Sequence, residues 1–206
     1  MSDRTLSSHS HWLVGTMAAI GLVTTWDTQA AGPLLVADTF TATTVNMTPE
    51  GVNLRIQVIQ WQDAAARTEV VATLAASADA STPLAKLPTV GYVWPNASPV
   101  GYSVKYANHA PEANGSERVT LVTDKRLGSY DFKGWSAAGG AAGGDAPYSV
   151  IELELNGSGT GTGTLSLGGE VLLDEAAGTV ALKPGAPSLL TNVKREASQT
   201  DKGSHR

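Results

Sequence analysis

The chain has 206 residues, 42% hydrophobic and 16% charged, with a formal net charge of −5 and no cysteine. Without cysteine there is no disulfide, no thiolate chemistry, no Cys-ligated zinc, no c-type haem attachment and no lipidated-cysteine anchor. The mild acidity provides neither the basic stripe that nucleic acid requires nor a polybasic membrane-surface patch, so neither is expected as a partner.

Residues 1–30 read as a secretory signal peptide. Arg4 precedes an apolar run from Trp12 to Val23, and Thr28-Gln29-Ala30 closes it with small residues at both positions a signal peptidase reads. The run is short for a bilayer span, and Asp3 thins the positive charge ahead of it; the competing readings are an uncleaved anchor and a buried helix. No second apolar run of membrane length follows. The expectation is an extracytoplasmic protein, periplasmic or secreted, with one soluble domain over residues 31–195 and a disordered polar tail over 196–206. Asp3, Arg4 and Asp27 leave with the signal, so about 175 residues remain with a net charge of −4, enough for one sizeable core. His9 and His11 fall in the signal and His205 in the tail, which leaves His109 in the body. A multi-histidine metal site is therefore not available within one chain, and no metal or cofactor is expected.

From Asp38 the chain reads mostly as strands. Thr39 to Met47 is a partner for a strand in which Val52, Leu54, Ile56 and Val58 alternate with Asn53, Arg55 and Gln57. Thr48-Pro49-Glu50-Gly51 supplies the turn between them. Ile59 and Trp61 fall on the opposite parity, which predicts cover on both faces there. Asp63 is placed to cap a helix begun by Ala64-Ala65-Ala66-Arg67, whose narrow apolar stripe runs Ala66, Val70, Leu74. Ser81-Thr82-Pro83 starts a second short helix that Pro88 stops. Strands resume at Thr89–Trp94 and in the alternation Val100, Tyr102, Val104, Tyr106. Another follows with Val119 and Leu121. Ala137 to Asp145, almost all Gly and Ala, reads as a mobile loop. Tyr148–Leu155 and Thr160–Leu167 form a hairpin about Asn156-Gly157, and shorter strands are expected at Val171–Leu173, Thr179–Leu182 and Leu189–Val193. The fold class is therefore mainly β, an antiparallel sandwich or barrel of eight or nine strands with a helical insertion near 63–87.

The strings Leu87-Pro88-Thr89-Val90-Gly91-Tyr92, Val100-Gly101-Tyr102-Ser103-Val104-Lys105-Tyr106-Ala107 and Val122-Thr123-Asp124-Lys125-Arg126-Leu127-Gly128 occur in that order. Pro147-Tyr148-Ser149-Val150-Ile151-Glu152-Leu153 and Leu190-Thr191-Asn192-Val193-Lys194 follow. In this order they resemble a group of uncharacterised exported bacterial proteins of similar size, over roughly residues 50–195. The resemblance implies an exported bacterial β-rich domain. It carries over no site residues.

Four sets of residues are candidates for chemistry. Tyr92, Trp94, Tyr102 and Tyr106 come from neighbouring strands and would line a small apolar cavity or a carbohydrate-stacking platform if they share a face; core packing is the competing reading. Asp124, Lys125 and Arg126, near Tyr130 and Asp131, would hold an anion or form a solvated turn closed by Gly128. Glu152 and Glu154 have the spacing of paired carboxylates, or of a solvated sheet face. His109 would act as a general base if Asp124 or Asp131 converged on it, but no Gly-x-Ser-x-Gly string marks a nucleophile. Gly157 to Gly163 has no lysine at phosphate-loop spacing and reads as a flexible hairpin.

The leading expectation is a non-enzymatic binding or envelope-associated module, with an unknown small molecule or envelope component as partner. The alternatives are a carrier of a small apolar ligand inside the barrel or sandwich and a hydrolase using carboxylates or His109.

Overall fold

The computed structural model describes residues 36–76, 81–131, 134–137, 146–168, 171–182 and 188–197. All of them belong to one unit, Leu34–Arg206. The expected signal peptide, the body of the Gly/Ala segment (138–145) and the tail beyond 197 lie outside the described residues. In chain order the elements are β1 (Asp38–Val45), β2 (Met47–Thr48), β3 (Asn53–Val58), α1 (Ala64–Ala76), α2 (Ser81–Lys86), β4 (Gly91–Pro95), β5 (Tyr102–Pro111) and β6 (Glu117–Thr123). After them come β7 (Ser136–Ala137), β8 (Val150–Leu155), β9 (Thr160–Ser166), β10 (Val171–Asp174), β11 (Thr179–Leu182) and β12 (Ser188–Glu196).

Eight strands close into an antiparallel barrel in the order β1-β12-β9-β8-β6-β5-β4-β3, with β3 returning to β1. The sandwich-or-barrel alternative is thus resolved as a barrel, and the helices fall at 64–86, inside the insertion read from sequence. Period-two alternation is the cause. Leu54, Ile56 and Val58 point into the lumen while Asn53 and Arg55 stay outside. On β8, Ile151, Leu153 and Leu155 do the same against Glu152 and Glu154. Phe40, Leu54, Ile56, Tyr102, Leu121, Ile151, Leu153 and Leu165 are all at most 2% exposed. Each such side chain contributes about 1.5–3 kcal/mol by leaving water.

One flank of the barrel carries a second apolar layer. Val70, Val71 and Leu74 of α1 and Leu84 of α2 pack with Tyr106, Val122 and Val150, which emerge from the barrel's outer face, and with Val180 of the β10–β11 hairpin. Asp63 caps α1 as read from sequence, its Oδ1 accepting the Ala66 N–H at 2.9 Å. Glu152, on the outer face of β8, accepts the Leu182 N–H at 2.9 Å and ties the hairpin to the wall.

Two bulges break the alternation. In β5 the register slips between Val104, opposite Thr123, and Tyr106, opposite Val122. The extra residue turns Tyr106 outward and Ala107 inward. In β12 the register slips between Leu190 and Val193, where Asn192 adopts a φ of 52°.

Candidate functional site

A groove of about 450 Å³ lies on the outer wall of the barrel, away from the helical flank, across β1, β3 and β4 with one wall from β12. Its floor is a row of register partners. Thr41 on β1 stands opposite Arg55 on β3, and Arg55 stands opposite Trp94 on β4. In the next row Thr43 stands opposite Asn53 and donates its hydroxyl to the Asn53 Oδ1 at 3.1 Å. The β12 bulge brings Asn192 to one side, and the turn after β4 brings Ala97 and Ser98 to the other.

Trp94 is half-buried and held from several directions. The Arg55 guanidinium carbon lies 4.7 Å from the centroid of its ring. The Tyr92 ring lies 5.4 Å away at 38°. Gly101 approaches so closely that a Cβ there would sit 2.7 Å from Nε1, so glycine is required to seat the indole. Among the described residues the groove combines a fixed aromatic, one cation, and neutral hydroxyl and amide groups, and no Asp or Glu lines it. The chemistry of such a lining matches polar, hydroxyl-rich molecules, through stacking and hydrogen bonding.

The four aromatics read from sequence do not share a face. Tyr92 and Trp94 stand together on the outer wall. Tyr102 points into the lumen, where its hydroxyl accepts the N–H groups of Gly128 at 3.0 Å and Tyr130 at 3.2 Å. Tyr106, turned out by the bulge, lies beneath the helices and donates to the Gly178 carbonyl at 3.0 Å; burial raises its pKa. Arg55, Asn53 and Asn192 were not singled out in the sequence.

The other candidates have intramolecular partners. The Lys125 ammonium lies 5.2 Å from the Tyr130 ring centroid, and Arg126 donates to the Trp135 carbonyl at 3.1 Å, so the two cations are engaged separately. Asp124, half-buried, has a pKa raised by desolvation, partly offset by the charges of Lys105 and Lys125. Asp131 accepts the Trp135 indole N–H. Glu154 lies 3.7 Å from Arg118 while Glu152 holds the hairpin, so the pair does not face a common point. His109 stacks on Trp61 at 4.5 Å, and its Nδ1 lies 2.9 Å from Glu117. Glu117 also meets Arg195 at 2.7 Å, Arg195 meets Asp38 at 3.1 Å, and Trp61 donates to Asp38 at 2.8 Å. This chain closes one end of the barrel. Asp124 lies beyond the other end of the β5–β6 ladder, five residues past the Val119 that pairs with His109, or about 16 Å along the strand. Among the described residues no hydroxyl hydrogen-bonds to the His109 ring.

No protein-family model, curated protein or solved structure matches this chain. Among the described residues no helix is long and apolar enough to cross a membrane, and no group of three His, Asp or Glu side chains is placed to hold a metal ion.

Proposed function

We propose that this chain is a non-enzymatic binding module of an exported bacterial protein, and that its outer-wall groove docks a polysaccharide of the cell envelope. The observation that carries the reading is Trp94, seated by Gly101 and Tyr92 beside a groove lined with neutral hydroxyl and amide groups. A fixed aromatic next to hydrogen-bonding groups suits a sugar ring, which has an apolar face and a polar rim. The lumen favours this reading over the internal carrier, because core side chains from every barrel strand occupy it. The hydrolase reading is disfavoured by the separate engagements of His109, Glu152 and Glu154. The apolar run and small-residue exit in residues 1–30 support export.

Co-sedimentation of the full chain with purified bacterial cell-wall sacculi tests the proposal. Wild type should pellet and Trp94→Ala should remain in solution. Equal pelleting of the two, or no pelleting of wild type, overturns it.

A further inference from the structure

The described residues include five arginines, and four of them reach a protein oxygen. Arg67 donates to the Gln62 carbonyl at 2.8 Å, Arg118 meets Glu112 at 2.8 Å, Arg126 meets the Trp135 carbonyl at 3.1 Å, and Arg195 meets both Glu117 and Asp38. Arg55 is different. Among the described residues its only partner is the Trp94 ring, and no oxygen accepts from its guanidinium. Among the described residues it is also the only formally charged one lining the groove, on a chain whose net charge is −5. Glu196, bonded to the Thr41 hydroxyl at 3.3 Å, is itself matched by Lys194 at 3.7 Å and does not neutralise Arg55.

A guanidinium on an aromatic face keeps its in-plane N–H groups available, and those groups form the fork that matches a carboxylate. A single cation flanked by neutral donors balances one negative charge. We infer that the groove takes a carboxylate-bearing sugar, with the acid group on Arg55 and the sugar hydroxyls on Asn53, Ser98 and Asn192. This rests on the groove being the saccharide-binding surface. Charge complementarity selects the acidic sugar over its neutral counterpart: both would cover the exposed Arg55, but the hydroxyls of the neutral sugar offer its guanidinium only neutral acceptors and no countercharge.

The test is a titration of the ¹⁵N-labelled full chain with a glucuronic acid-containing disaccharide and, separately, its neutral glucose counterpart at equal ionic strength, followed at the tryptophan indole N–H resonances. The expected result is movement of the Trp94 resonance with an affinity about tenfold higher for the acidic probe. Arg55→Gln should remove that difference and Arg55→Lys should restore part of it, while the Trp61 and Trp135 resonances, in the barrel ends, stay in place and report an intact fold. If both probes move Trp94 with equal affinity, the carboxylate inference is overturned and the groove remains a saccharide site. If neither moves Trp94, both are overturned.

Discussion

Gln62 pairs with Ala107 as if it were a strand residue. Its backbone N–H donates to the Ala107 carbonyl at 3.3 Å, its side-chain Oε1 accepts the Ala107 N–H at 2.9 Å, and its Nε2 donates to the Lys105 carbonyl at 3.1 Å. The pairing of β4 with β5 runs only from Val104 to Tyr102, so the edge of β5 beyond the bulge would otherwise be buried without partners. One amide side chain supplies both the donor and the acceptor that the missing strand would have given. Gln62→Leu keeps the volume and removes both. Loss of two buried partners predicts destabilisation of about 2–4 kcal/mol, measured as a lower urea midpoint with an unchanged slope.

Lys105 supplies a second polar tie beneath the helices. Only 4% exposed, it directs its ammonium to the carbonyls of Ala85 at 3.3 Å and Leu87 at 2.8 Å and to the Thr89 hydroxyl at 2.9 Å. It thereby satisfies carbonyls at the C-terminal end of α2, where a positive charge is also favoured. Lys105→Met should cost about 3 kcal/mol, and hydrogen exchange should accelerate first at amides 84–90 while the β6–β8 amides stay protected.

Asp124 gives the chain an acid-side stability gain. Burial raises its folded-state pKa above the unfolded value, so the native state binds the proton more readily. This contribution is fully present below the unfolded pKa and is lost as pH rises through the raised folded value. Asp124→Asn should therefore melt at a higher temperature than wild type at pH 7, and the gap should close as pH falls below the carboxylate range. A gap independent of pH would refute this account.

Gly101→Ala tests how the groove is built without touching its polar lining. The new methyl must displace the Trp94 indole, since its position lies 2.7 Å from Nε1. Sacculus binding should fall several-fold while the melting temperature changes little, because Gly101 is only partly buried and the lumen is untouched. Unchanged binding would show that the seat of Trp94 is immaterial.

The barrel was legible in the sequence where one residue in two faces a continuous core, as at Leu54-Ile56-Val58 and Ile151-Leu153-Leu155. The cap at Asp63 was legible because it depends on local chemistry alone. The face of Tyr106 was not. A bulge adds one residue and then resumes the same period, so Tyr102, Val104 and Tyr106 look like one face when they are two. Of the groove's lining residues, Trp94 alone was readable as a candidate, within a set of four aromatics of which Tyr102 and Tyr106 face elsewhere. Arg55 looked like any polar residue on the solvent side of a strand. Its meaning comes from standing opposite Trp94 across the β3–β4 ladder, a register set by a connection that contains both helices. Asn192 carried a faint signal, since asparagine is among the residues that tolerate positive φ within a strand.

The pairing of the first barrel strand with the last has a mechanical consequence. Thr39 lies opposite Glu196, so the chain enters and leaves the barrel at neighbouring points on one rim. A pull applied between these two points would load the β1–β12 seam one residue pair at a time, beginning there and running toward Val45 and Leu189. Peeling of this kind meets little resistance, because the bonds break in sequence instead of sharing the load. The seam also separates Asn192 from Thr41 and Thr43 on the groove, so tension on the ends would dismantle the groove before it reached the β6–β8 core.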